Sequence, residues 1–290
     1  MFRIGAFELT SILDLVVEEP MSLFPGWNDQ VLQDYGDWFD PAFFNASAGH
    51  FNSSIHSWLV RGPRQTVLID TGGGNNKPRP ASPRFDNLKT SYLASFKRAG
   101  VHPEEVDYVI LTHLHVDHIG WNTKLVNGQW VPTFPNARYL MTRAEYDLRD
   151  PANGARDRPA TTHLPFIDSI APLLAAGVVD FIDSTTTAEL DGISFLPSPG
   201  HVRDQLAISL RAGDAEAFFA ADSLHQPIQV RYPGWNSKYC EDGPTAIATR
   251  HRLLAHVAET GGLLLPSHFA RPGYVRADGT GYTFHMAEEF

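Results

Sequence analysis

Apolar and polar residues alternate over positions 2–17, and this period of two predicts a pair of short strands. Positions 18–51 lose the pattern and fill with Phe, Trp, Tyr, Pro and Gly, which predicts a long aromatic loop over the edge of a core. Apolar runs at 54–60 and 65–70 predict two strands joined at Arg61-Gly-Pro-Arg64. Positions 85–99 set Leu88, Tyr92, Leu93 and Phe96 on one helical face, with Gly100 as the stop. The run at 106–111 suits a buried strand, and Asn127-Gly128 marks a hairpin. A strand at 139–141, a helix beginning at 143–149, a polar excursion at 150–165 and a helix at 166–176 follow.

Four further strands are expected at 178–182, 189–196, 205–211 and 217–221. The clearest helix lies at 245–259, where Ile247, Leu253, Leu254 and Val257 recur at helical spacing, and an apolar strand over 261–267 then ends at His268. The order of strands, helix and strand occurs twice, and nothing reads as a linker. Residues 1–290 are therefore expected to form a single domain of two similar halves.

Composition narrows the class. An apolar fraction of 43%, with 18 Phe, 9 Tyr and 6 Trp, is that of a folded globular chain. With 33 acidic against 23 basic residues the net charge is -10, which argues against a nucleic-acid partner. The N-terminus alternates like a strand instead of presenting a basic leader and apolar core. No apolar run approaches the ~20 residues that cross a membrane, so a cytoplasmic protein without a membrane partner is expected. The single cysteine, Cys240, rules out an intrachain disulfide and a thiolate-rich zinc site, leaving imidazole and carboxylate as the donors for any metal.

Those donors are concentrated. His113, His115, Asp117 and His118 occupy six residues directly after the strand at 106–111, and His201, Asp222 and His268 each follow a later predicted strand. Asp70-Thr-Gly-Gly-Gly has neither the Gly-Lys-Ser/Thr of a P-loop nor a GxGxxG, so it reads as a tight turn beneath the site. His163 reads as solvated, and His56 and Asn52 as structural.

His-x-His-x-Asp-His followed by three separated ligands, the first in Ser198-Pro-Gly-His201, resembles the metallo-β-lactamase superfamily over nearly the whole chain. The resemblance implies an α/β fold, the αββα sandwich of two mixed sheets flanked by helices. It implies two divalent metal ions, zinc by preference, with manganese, iron or cobalt also suited to such donors. Carried over by position, His113, His115 and His201 hold one metal, Asp117, His118 and His268 the other, and Asp222 bridges them. Such a centre activates a shared hydroxide and polarises the substrate oxygen. Asp117 or a water then protonates the leaving alkoxide, and Asp70, with Thr112, is expected to orient the ligating imidazoles.

Departures narrow the reading. A flavodiiron protein would have Glu in place of His115, and cysteine-using β-lactamases would need Cys near Asp222. Only 22 residues follow His268, too few for the C-terminal helices of glyoxalase II. The RNA-processing branch is disfavoured by charge. The segments 222–229 and 232–235 and the helix through 249–254 resemble the branch containing methyl parathion hydrolase and the quorum-quenching and pyridoxolactone lactonases. Lactonases there place a Tyr shortly after the bridging Asp; here His225 stands in that neighbourhood, either as a hydrogen-bond donor to the developing oxyanion or as a supporting core histidine.

The expected activity is hydrolysis of a lactone or ester of a small apolar or ring-bearing molecule, with the aromatic residues of 18–51, among them Trp27, Trp38 and Phe44, and the 150–170 excursion as pocket walls, and a homodimer as the assembly. The alternatives are an organophosphate triesterase, a mononuclear iron sulfur dioxygenase and a non-catalytic metal-containing signalling protein.

Overall fold

A computed structural model describes residues 1–28, 30–35, 40–153, 159–183, 190–279 and 281–288. Contacts divide the chain into two compact units, Met1–Leu15 with Ile55–Phe195, and Val16–Ser54 with Leu196–Glu289. Two mixed β-sheets flanked by helices make up the bulk of it.

The first sheet contains β1 (Phe2–Ile4), β2 (Phe7–Pro20), β3 (Phe44–Asn45), β4 (His50–Arg61), β5 (Thr66–Ile69) and β6 (Tyr108–Ile110). A separate hairpin, β7 (Thr123–Val126) and β8 (Gln129–Pro132), precedes its last strands, β9 (Arg138–Thr142) and β10 (Val179–Ile182). The strand order is β1-β2-β4-β5-β6-β9-β10, with β3 paired to β4. The pairs β5–β6, β6–β9 and β9–β10 are parallel, so β5, β6 and β9 finish at the same sheet edge. Side chains gather where parallel strands end, and both Asp70 and the 113–118 motif follow such ends.

Between β5 and β6 runs α2 (Tyr92–Arg98), shorter than the helix expected over 85–99. Only a 3-10 turn, Pro83–Phe85, and non-helical chain precede it, and Asn87 adopts a left-handed φ of 50°, which no continuous helix accommodates. The helix buries Tyr92 and Phe96 into a core that includes Leu59, Leu68, Val109, Leu111 and Tyr139, each aromatic worth roughly 1.5–3 kcal/mol of burial. The Asn-Gly hairpin forms as expected, with Asn127 and Gly128 both at positive φ, 50° and 80°. After α3 (Arg143–Arg149), the helix expected over 166–176 is instead two, α4 (Leu164–Ser169) and α5 (Ala171–Ala175). Pro172 lacks the amide hydrogen that would continue the ladder.

The aromatic segment is more ordered than a loop. It contains a 3-10 turn, the short helix α1 (Gln30–Tyr35) and β3. Phe24, Phe44 and Phe51 pack together with Leu23, Val31 and Ile228.

The second sheet runs in order β11 (Ile193–Pro197), β12 (Leu206–Ala212), β13 (Ala215–Ala221), β14 (Leu263–Pro266), β15 (Gly273–Asp278) and β16 (Gly281–Met286). The closing hairpin β15–β16 was not anticipated from the sequence. Beyond the one-turn helix α6 (Ile228–Arg231), α7 (Gly243–Thr260) connects the parallel strands β13 and β14. Asp242 caps α7 by accepting the Thr245 amide at 3.1 Å, and Gly261 ends it in the left-handed conformation, φ 66°. Leu253, Leu254 and Val257 face a core with Phe218, Leu264 and Phe269. No helix among the described residues is long and apolar enough to cross a membrane.

Candidate metal centre

In the first unit the candidate residues follow the ends of β5 and β6. In-register pairing of Ile69 with Ile110 sets Asp70 beside Thr112, whose amide donates to Asp70 Oδ1 at 2.9 Å. The loop after Asp70 lies directly on the motif: Thr71 N donates to His118 O at 2.7 Å, and Gly120 N to Gly72 O at 2.7 Å. A Cβ on Gly120 would fall inside the Gly73 carbonyl, which explains the glycines on both sides. From beneath, Asp14 on β2 accepts the Gly73 amide at 2.8 Å and the indole N–H of Trp121 at 3.1 Å, with Thr90 also bonded to it. Burial raises the Asp14 pKa above the usual carboxylate value, against these hydrogen bonds.

The motif imidazoles are oriented from behind. His118 Nδ1 lies 2.8 Å from Asp70 Oδ2, and His113 Nδ1 lies 3.1 Å from Thr112 Oγ1, which itself donates to Asp70 at 2.9 Å. With protons assigned to both Nδ1 atoms, the Nε2 lone pairs remain for a cation. The His113 ring lies 4.1 Å from that of His118 and 4.6 Å from that of His115, centroid to centroid, and Asp117 Oδ2 lies 3.9 Å from His118 Nε2. All four predicted residues of the motif are therefore gathered.

The second unit gathers its own. Gly200 precedes His201 with φ 125° and lies against the Ala246 backbone, too close for a side chain. Asp222 follows β13, and His268 follows β14, the neighbouring parallel strand. One carboxylate oxygen, Asp222 Oδ2, lies 3.2 Å from His201 Nε2, 3.0 Å from His268 Nε2 and 3.5 Å from His225 Nε2. Asp222, His225 and His268 each offer a ligand atom within 4.8 Å of one another, a group able to hold a metal ion. His268 Nδ1 lies 3.2 Å from the Ser54 carbonyl, so the proton belongs on Nδ1 and the Nε2 lone pair faces the carboxylate. Two lone pairs at 3.0 Å call for a cation between them, and imidazole with carboxylate suits a divalent one. The donor chemistry therefore fits a metal.

His225 sits deeper in this group than the sequence indicated. It stacks on His268 with centroids 5.4 Å apart, and burial pushes its imidazole well below the usual histidine range. Gln229 Oε1 accepts the His225 amide at 2.6 Å, while Gln229 Nε2 donates to Trp235 O at 2.9 Å. Arg250, fully buried on α7, donates to the carbonyls of Ser223 and Pro233 at 2.8 and 2.6 Å. Gln229, Arg250 and Asp14 escaped sequence reasoning. The one available signal for Asp14 was its inward register with Ile12.

The remaining candidates have structural surroundings. His56 is buried edge-on to Trp58, and Asn52 donates to Pro41 O. Trp27 packs on Phe44 and Phe51. Phe44 also lines a cavity of about 530 Å³ with Phe43, Phe51, Gln226 and Ile228. Trp38 lies outside the described residues.

A family model of the metallo-beta-lactamase superfamily matches residues 52–274. A curated relative, N-acyl homoserine lactonase AttM of Azorhizobium caulinodans, is 29% identical over 102 residues, 31% of this chain and 35% of that protein. The match thus spans about a third of the relative's length. Among solved structures, AidC, a dizinc quorum-quenching lactonase in complex with a product, superposes with a TM-score of 0.78 at 22% identity, covering 100% of this chain and 97% of that one. The hydrolase AbOPH of the beta-lactamase superfamily superposes with a TM-score of 0.82 at 24% identity and the same coverage. At these identities the structural likeness shows the fold. With a model match running over most of the sequence, the chain belongs to the metallo-beta-lactamase superfamily.

Proposed function

We propose that the protein is a dinuclear metal-dependent hydrolase that opens a lactone or ester of a small apolar or ring-bearing molecule. In this reading His113, His115 and His201 hold one ion, Asp117, His118 and His268 the other, and Asp222 is shared. The reading rests on the order of the motif and on the three imidazoles that converge on the Asp222 carboxylate. The family match and the lactonase named among the relatives support it. Bound there, divalent cations supply an activated water at neutral pH and polarise the substrate carbonyl. Zinc is the preferred ion, with manganese, iron or cobalt as substitutes.

The chain's own residues do the rest. Asp70 and Thr112 fix the imidazole tautomers of His118 and His113. Asp117, partly exposed, returns a proton to the leaving alkoxide. His225, whose backbone amide Gln229 fixes, donates an N–H to the oxyanion that develops on the substrate. The two units act as one domain, working as a homodimer in the cytoplasm; the single cysteine and the family resemblance support this.

The test is metal analysis together with a substrate panel. Two equivalents of divalent metal per chain are expected, with turnover of a lactone or aryl ester that chelation abolishes and zinc restores. Turnover of a phosphotriester alone would make it a triesterase. One iron per chain with oxygen uptake on persulfide would make it a dioxygenase, and metal without turnover would leave a binding protein. Light scattering tests the dimer.

A further inference from the structure

The run Gly72-Gly73-Gly74 has left-handed backbone on both sides of Gly73, with φ 59° at Gly72 and 77° at Gly74, after 57° at Asp70. Alternation of this kind turns successive amide hydrogens to one side and makes a concave nest that suits an anion. The nest is filled from within the first unit. Asp14 Oδ2 accepts the Gly73 amide at 2.8 Å and the Gly74 amide at 3.4 Å. It approaches so closely that a Cβ on Gly72 would stand 2.7 Å from the same oxygen. Asp14 Oδ1 takes the Trp121 indole N–H at 3.1 Å and the Thr90 hydroxyl. These donors together use the accepting capacity of an ionised carboxylate, about four lone-pair sites.

The hydrogen bonds of Asp14 go to loop atoms and not to a candidate ligand. Both loops that it holds are nevertheless tied to His118. Thr71 N donates to His118 O and Gly120 N to Gly72 O, each at 2.7 Å, and Trp121 N donates to Thr71 O at 2.8 Å. Asp70, at the head of the glycine loop, lies 2.8 Å from His118 Nδ1. One buried carboxylate thus grips the loop that carries Asp70 through Gly73 and Gly74, and the segment after His118 through Trp121. The Trp121 ring is itself kept in place by Tyr92, stacked on it with centroids 5.2 Å apart.

We propose that Asp14 is a positioning residue of the metal centre: as the built-in anion of the 72–74 nest it locks the Asp70 loop against the segment after His118, so that the His118 imidazole stands in register with Asp70 before a cation arrives. That the centre takes metal rests on the function proposed above; the lock rests on the hydrogen bonds alone. Removing the carboxylate leaves two amides and an indole N–H buried without an acceptor, which frees the loops to part. The nest recognises a carboxylate and not the rest of the side chain, so a small free carboxylate restores the lock.

Asp14→Ala with and without formate tests this. Zinc affinity, measured by chelator competition on the folded protein, is expected to fall by about tenfold in the variant and to recover with formate, which leaves the wild type unchanged. Trp121→Phe keeps a ring against Tyr92 and removes only the indole donor, with an expected fall of about threefold. The metal-free protein gives a second reading by NMR. The proton assigned to His118 Nδ1, bonded to Asp70, is expected as a slowly exchanging downfield imidazole resonance that Asp14→Ala removes and formate restores. Zinc affinity at the wild-type value in both variants, or a loss in Asp14→Ala that follows urea stability while the His118 resonance is intact, would overturn the proposal. If Asp14→Ala does not fold, Trp121→Phe decides, and wild-type values of both its zinc affinity and its His118 resonance overturn the lock. If the wild type takes up no zinc while the resonance responds to Asp14→Ala and to formate, the metal reading fails and the lock stands.

Discussion

His118 Nδ1 lies 2.8 Å from Asp70 Oδ2, with both side chains buried and Asp70 held at a left-handed φ of 57°. Asp70 also takes the amide and hydroxyl of Thr112, so one carboxylate fixes the orientation of two motif histidines. Asp70→Asn keeps a residue type that tolerates this φ while removing the charge. Metal affinity is expected to fall by roughly 10- to 100-fold with little loss of fold stability. Chelator competition measures the former and urea unfolding the latter; wild-type metal affinity in the variant would remove Asp70 from the role of orienter.

Gly120 meets Gly73 backbone to backbone, and no side-chain rotamer relieves an added methyl group there. Gly120→Ala must separate the 70–74 loop from the motif loop and break bonds such as Gly120 N to Gly72 O. The expected loss is about 2–4 kcal/mol in urea unfolding, at the upper end of single-residue effects. Gly128→Ala is the control, because its Cβ would meet nothing within 4 Å and only the positive φ opposes it. A loss at Gly120 no larger than at Gly128 would show that the two loops do not touch.

These two cases separate what the sequence makes legible from what it hides. His113 to His118 can be read directly, because four metal-binding residue types in six positions after an apolar run have few other uses. Asp70 can be read as their support because it ends the neighbouring strand. Asp14 cannot, since its partners Gly73, Thr90 and Trp121 lie far along the chain and only tertiary packing brings them to one carboxylate. The same holds for Lys77, Arg79 and Asp168, whose charges individually look like solvated loop residues. Local signals misled where a stop was concealed: the apolar spacing of 85–99 ignored the left-handed Asn87, and that of 166–176 ignored Pro172.

Lys77 makes stability depend on pH. Burial pulls its ammonium from 10.5 down to about 7, partly resisted by Asp168. The unfolded chain therefore binds more protons than the folded one between pH 7 and about 10, and stability must rise with pH across that window. Lys77→Met leaves the Arg79–Asp168 pair balanced and removes the dependence. From pH 6.5 to 9 the wild type is expected to gain a few kcal/mol over the variant in urea unfolding. Comparing the two proteins at each pH cancels proton effects at the clustered histidines and carboxylates. A flat difference would show that Lys77 keeps an ordinary pKa.

Arg250 joins two loops that flank Asp222 and His225. Its Nε holds Ser223 O, one Nη holds Pro233 O at 2.6 Å, and the other reaches Asn236 Oδ1 at 3.2 Å. Burial lowers its pKa only to about 10, so it stays charged at neutral pH. Arg250→Met fills much of the volume but leaves three oxygens without a donor, at an expected cost of about 3–5 kcal/mol. Arg250→Lys, with a single point of attachment, should lose less stability yet still free one loop from the other. If the cross-link positions His225 rather than merely supporting the fold, Arg250→Lys lowers kcat several-fold while KM and bound metal stay near wild type. A variant that loses stability and metal together, with kcat per bound metal unchanged, would show that Arg250 serves the fold alone.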